Sequence, residues 1–156
     1  MIANSEIAAA ALIELSRRRL SSSLYEFMKA SWHLVEPETP FVGGWHLEAI
    51  CEHLEATYRG EIRNLVINMP PRHCKSLLCS VFFPVWSWAN QPRLKWLCSS
   101  YSFGLSVRDS LRARPVVESP WFQLRFPAVE LAGDPTNEAR HQNTNDGPRT
   151  HTTPYK

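Results

Sequence analysis

Residues 65–76 read Leu65-Val66-Ile67-Asn68-Met69-Pro70-Pro71-Arg72-His73-Cys74-Lys75-Ser76, an apolar run that passes through a proline-rich turn into a basic and a hydroxyl residue. Leu65-Val66-Ile67, apolar on both sides, suits a short strand buried in a parallel sheet. A phosphate-binding loop needs such a strand and a turn whose backbone N–H groups face the phosphates. It also needs a Lys for the β- and γ-phosphates and, at the helix start, a Ser or Thr for magnesium. Lys75 and Ser76 stand at those last two positions. The general spacing Gly-x-x-x-x-Gly-Lys-Ser/Thr places glycines where this chain has Met69 and Cys74, so it is the setting between strand and helix that gives the pair its meaning.

Each loop residue also has a plainer reading. Lys75 opposes the dipole of the helix it begins, which a bound anion would explain better than simple solvation. Ser76 can be an ordinary helix cap with or without magnesium. Arg72 is a planar cation suited to a γ-phosphate, or an exposed loop arginine. Cys74 is a replaced glycine, or a thiol that a helix N-terminus would push toward thiolate.

Working outward, the spacing predicts an apolar helix over 76–89, a turn at 90–92, a second strand over 94–100, and hence a βαβ unit. A further helix is expected from Phe103 to about Arg114, with Pro115 and Pro120 ending or bending the region, and with Arg108, Arg112 and Arg114 as phosphate-contacting or merely solvated cations. Upstream, 6–20 has good helix chemistry, and Ser23 with Glu26 forms a capping box for a helix reaching about Leu34. A loop follows, punctuated by Pro37, Pro40 and Gly43-Gly44. Leu47, Ile50, Cys51, Leu54 and Tyr58 then mark a third helix, with Glu48, Glu52 and Glu55 opposite and Gly60 as its cap. Phe82, Phe83, Trp86, Trp88, Trp96 and Trp121 read as core rather than as a stacking platform. From Asp134 to Pro154 only Ala139 is apolar, so that tail is expected to be disordered.

The 156 residues allow one domain, and 44% apolar with 21% charged residues excludes a wholly disordered chain, a collagen or a coiled coil. Lys and Arg number 17 against 15 Asp and Glu, a net charge of +2, too even to announce nucleic acid or membrane binding by itself. Cys51, Cys74, Cys79 and Cys98 show no CxxC spacing and suit a reducing compartment. The apolar stretch from Leu77 to Ala89 is too short to span a bilayer, and the N-terminal charge order is the reverse of an export signal.

The loop resembles that of the large subunit of tailed-phage terminases, the DNA-packaging ATPases, which often reads Pro-Pro-Arg-His-Gly-Lys-Ser. The resemblance extends from Phe41 through Trp45-His46-Leu47, Leu54-Glu55 and Gly60-Glu61-Ile62 to Ser99-Ser100-Tyr101-Ser102, Arg108-Asp109-Ser110 and Ser119-Pro120-Trp121. It implies an α/β fold, an incomplete RecA-like P-loop NTPase domain with a parallel sheet and flanking helices. The corresponding divisions are an N-terminal helical segment (1–40), the front of the ATPase domain (41–133) and a tail (134–156).

The resemblance also implies ATP and magnesium as cofactors. Pro71, Arg72, His73, Cys74, Lys75 and Ser76 would surround the phosphates, with Lys75 and Arg72 catalytic and Ser76 on magnesium. Trp45 and His46 would lie near the adenine, although an aromatic opening an amphipathic helix often only packs. Implied partners are double-stranded DNA, the small terminase subunit and the portal, with a homo-oligomeric ring on the portal in the host bacterial cytoplasm and no membrane. No apolar strand ending in acidic residues follows, so truncation is expected. The alternative to an ATP-hydrolysing motor is a catalytically inactive prophage remnant that at most binds nucleotide or a packaging partner. A small phosphate-loop kinase would need a lid and an acceptor site that the sequence does not display.

Overall fold

The computed structural model describes the backbone of residues 2–129, 131–132, 140–143 and 148–152. Ser23 acts as the cap that its context predicts: its hydroxyl accepts the Glu26 N–H at 3.3 Å and opens α2 (Leu24–Val35), after α1 (Ile2–Ser22). A second cap comes from α3 (Trp45–Tyr58). Glu55, placed by the sequence on its polar face, accepts the backbone N–H of Leu24 at 2.6 Å. Past the end of α3, Gly60 takes φ +79°, where a residue without Cβ is unstrained.

The apolar stretch after the loop forms one helical run in three pieces: α4 (Lys75–Leu77), a π-helical turn (Leu78–Phe82) and α5 (Phe83–Asn90). The widened turn has a cause in Pro84, which lacks an N–H and whose ring would crowd the carbonyl four residues back. The N–H of Phe83 accordingly reaches the Leu78 carbonyl, five residues away. Residues 81–88 are all buried, as expected of a helix that is apolar all round.

Around this central run pack Leu24, Phe27 and Met28 of α2, Leu47 and Cys51 of α3, and Val116 and Val117 of α6 (Phe103–Glu118). Phe122 of α7 (Pro120–Gln123) joins them. The buried indoles are satisfied: Trp86 donates to the Leu20 carbonyl at 2.9 Å and Trp88 to the Leu94 carbonyl at 2.8 Å. These tryptophans are core. α6 runs through Pro115 instead of stopping there, because Val116 and Val117 anchor its last turn in the core and offset the lost backbone bond.

Among the described residues the expected RecA-like parallel sheet is absent, and most of them are helical. Leu65–Ile67 is extended but pairs with no strand among the described residues, so the loop does not spring from a sheet. Burial still alternates along it, with Leu65, Ile67 and Met69 half-buried and Val66 82% exposed. Within residues 2–129 the one strand is β1 (Trp96–Ser99). Three short backbone segments, β2 (Leu131–Ala132), β3 (Arg140–Asn143) and β4 (Pro148–Thr152), line up beside it in the order β1-β4-β3-β2. Only β1 with β4 is parallel, with Trp96 opposite Arg149, and the other pairings are antiparallel. That arrangement is not a RecA-like core, since the strand that should carry the loop takes no part in it. One cluster of buried side chains, from Leu20 to Val129, runs across the expected division at residue 40. Of the tail expected to be disordered, 134–139, 144–147 and 153–156 lie outside the described residues.

Candidate functional site

The loop gets its shape from two left-handed residues. Arg72 has φ +66° and Cys74 has φ +58°, ψ 7°, and Cys74 is the cap from which α4 begins. Such backbone is favourable for glycine and strained for a side chain by about 1–2 kcal/mol. The position where the phosphate-loop spacing calls for glycine thus adopts the conformation that glycine serves. The Cys74 carbonyl accepts the first helical N–H, that of Leu78, at 2.9 Å, so the N–H groups of Lys75, Ser76 and Leu77 have no acceptor within the helix.

Ser76 is not the helix cap, contrary to its plainer reading; Cys74 is, and it offers no side-chain cap bond. The Ser76 hydroxyl is therefore not consumed in capping. Lys75 is half-buried and Arg72 exposed, and neither makes an ion pair among the described residues. The cations of α6 behave differently: Arg108 pairs with Asp109, Arg112 with Glu36 and Arg114 with Glu118, which supports their reading as a solvated, paired face. A reactive Cys74 thiolate is not supported either. Burial, with the Glu36 carboxylate as the lesser contribution, pushes its thiol up. Burial also pushes Cys79 up, against the opposing charge of Lys75.

Two cavities flank the loop. On one side a cleft of about 620 Å³ runs between α3 and the extended segment 65–70, lined by Trp45, His46, Ile50, His53, Ile67 and His73 among others. The structure brings His46 to the loop: its ring meets that of His73 edge to face, centroids 5.8 Å apart, while His73 Nδ1 donates to the Pro71 carbonyl at 2.9 Å. Trp45 is 81% exposed at the cleft mouth, so it is not simply a packed aromatic opening a helix. Gly44 holds this corner open, since a Cβ there would lie 2.7 Å from His46 Cε1. On the other side, Ser76 lines a polar cavity of about 270 Å³ with residues from β1, its following turn and α6.

Of the loop, His73 lines the mainly apolar cleft and Ser76 the polar one, while Pro71, Arg72, Cys74 and Lys75 line neither. The arrangement offers an aromatic-sized recess, free N–H groups, an unpaired ammonium and hydroxyl oxygens suited to a hard cation. The second cavity and the His53 wall were missed from sequence. His46, Ala49, Ile50 and His53 share one face of α3 at i, i+3, i+4 and i+7, a stripe beside the apolar one that was followed. Among the described residues no helix is long and apolar enough to cross a membrane. In comparisons with protein-family models, curated proteins and solved structures, nothing matches this chain.

Proposed function

We propose that the chain is a nucleotide-binding protein of the terminase large-subunit kind, whose loop takes the phosphates of ATP with magnesium for packaging double-stranded DNA. In this reading it works in the host bacterial cytoplasm with a portal and a small subunit, as part of a homo-oligomeric ring. The observation that carries the nucleotide part is the left-handed turn at Cys74 directly before Lys75, which begins the helix with the N–H groups of Lys75, Ser76 and Leu77 lacking an acceptor within it. Lys75 would contact the β- and γ-phosphates, Arg72 the γ-phosphate, and Ser76 the magnesium ion. The cleft beside Trp45 and His46 has the size and apolar lining to take the base. The packaging role rests on the sequence resemblance.

A second reading, a catalytically inactive chain that only binds nucleotide, is favoured by one observation. Cys74 places a side chain where a glycine would let the backbone approach phosphate freely. Calorimetric titration with Mg-ATP tests the shared claim. Binding by the wild type and its loss in Lys75→Ala are expected, whereas equal binding by Lys75→Ala removes the phosphate-loop reading. Steady phosphate release from bound ATP separates the motor from the inactive binder.

A further inference from the structure

We propose that Asp109 supplies the carboxylate for the divalent cation that accompanies the nucleotide, facing Ser76 across the polar cavity. This deepens the nucleotide reading above and rests on it. Three elements converge on that cavity of about 270 Å³: Ser76 from α4, Ser99 with Ser100 from the end of β1, and Asp109 with Arg108 from α6. No residue of the loop itself is acidic, and Asp109 is the one carboxylate in the cavity's wall.

The chemistry of the wall suits magnesium. That ion takes hard oxygen ligands, keeps several waters, and is commonly held by one or two carboxylates together with substrate phosphates. Hydroxyls of Ser76, Ser99 and Ser100 provide such oxygens. The Asp109 side chain is only 13% exposed, so its charge is less screened than a surface carboxylate's. Its Oδ1 accepts both Nε and Nη2 of Arg108, at 3.1 and 2.9 Å, and this pair does not engage Oδ2. Arg108 is half exposed and can leave Oδ1 for solvent or for a phosphate oxygen without a large desolvation cost.

Among the described residues no cluster of three metal-ligating side chains exists. A cation held by Asp109 and Ser76 must therefore complete its shell with water and phosphate. The consequence is specific: magnesium binds together with ATP and only weakly by itself.

The test compares ATP affinity with magnesium and with EDTA in the full chain, for the wild type, Asp109→Asn and Lys75→Ala. Magnesium is expected to raise wild-type affinity about tenfold, and that of Asp109→Asn less than about twofold, with EDTA affinities alike. An unchanged magnesium gain in Asp109→Asn, or no gain in the wild type, overturns the assignment while ATP binding that depends on Lys75 leaves the nucleotide reading standing. ATP binding indifferent to Lys75→Ala, or none in the wild type, sinks both. Should Asp109→Asn fail to fold, Mn-ATP added to the wild type decides. Paramagnetic broadening of the Arg108 and Asp109 amides, with Ile7 spared, is expected, and its absence overturns the proposal.

Discussion

The imidazole of His46 at the start of α3 rests edge-on against that of His73 in the loop, with ring centroids 5.8 Å apart. One helix thereby steadies a turn that no sheet supports. Ring pairs of this kind contribute about 0.5–1.5 kcal/mol. His46→Ala is expected to weaken ATP binding by about 2- to 10-fold and to speed amide exchange over residues 70–74, with the global melting temperature little changed. Gly44→Ala should do the same, because its Cβ displaces the His46 ring. Hydrogen-exchange mass spectrometry with an ATP titration checks both, and a loop unaffected by either change rules out the brace.

Cys74→Gly removes a Cβ from left-handed backbone and is expected to stabilise the fold. Relief of about 1–2 kcal/mol is partly offset by about 0.5–1 kcal/mol for the greater freedom of glycine in the unfolded chain. The melting temperature should rise by a few degrees, roughly 2–4 °C, and ATP affinity should rise with it. A fall in melting temperature would show that Cys74 packing outweighs the strain.

Glu55 caps α2 from another helix, so its loss is felt away from its own. Glu55→Ala should cost about 1–2 kcal/mol, as for removal of a helix cap. Glu55→Gln keeps an acceptor and should lose only the charge contribution, about 0.3–1 kcal/mol. Urea unfolding curves of the two variants measure the difference.

Cys51 lies in the core between α2 and α3, and burial pushes its thiol from 9.0 up to about 12, with Glu55 the next contributor. A raised thiol pKa favours the protonated form in the folded state. Its stabilisation is therefore complete below pH 9 and lost as pH rises from 9 toward 12. Thermal melting across pH 8 to 11 should fall, and Cys51→Ala should lower the baseline while flattening the slope. Some slope should remain, since Tyr25, Tyr58 and Cys79 are raised as well.

Much of the helical frame was legible because its signals are local. The Ser23 cap, the apolar stripe of α3 and the Gly60 stop each act within a few residues, and each appears in place, although the Glu26 carboxylate pairs with Arg19 rather than closing a capping box. The sheet was not legible for the opposite reason. Leu65-Val66-Ile67 has a strand's composition, but a strand exists only with a partner, and pairing is decided far along the chain. α6 extends past the expected end near Arg114 because packing of Val116 and Val117 overrides a local breaker at Pro115. Of the residues proposed for the site, Lys75 and Ser76 can be singled out in the sequence by type and order. Asp109 cannot, since only the fold places it across a cavity from Ser76.

The π-helical turn at Leu78–Phe82 separates two demands on one helix. Downstream, Trp86 and Trp88 are locked by the core; upstream, Lys75 and Ser76 are the residues proposed to take the ligand. Each residue of helix carries about 100° of rotation, and a π turn amounts to one surplus residue. The loop's bearing is thus offset from the core's by a single residue of phase. Deleting one residue between 78 and 82 would restore a plain α-turn with tryptophans and loop both keeping their bearing, whereas straightening the turn at constant length would swing the loop by about 100° round the axis, so this small irregularity works as the setting screw of the site.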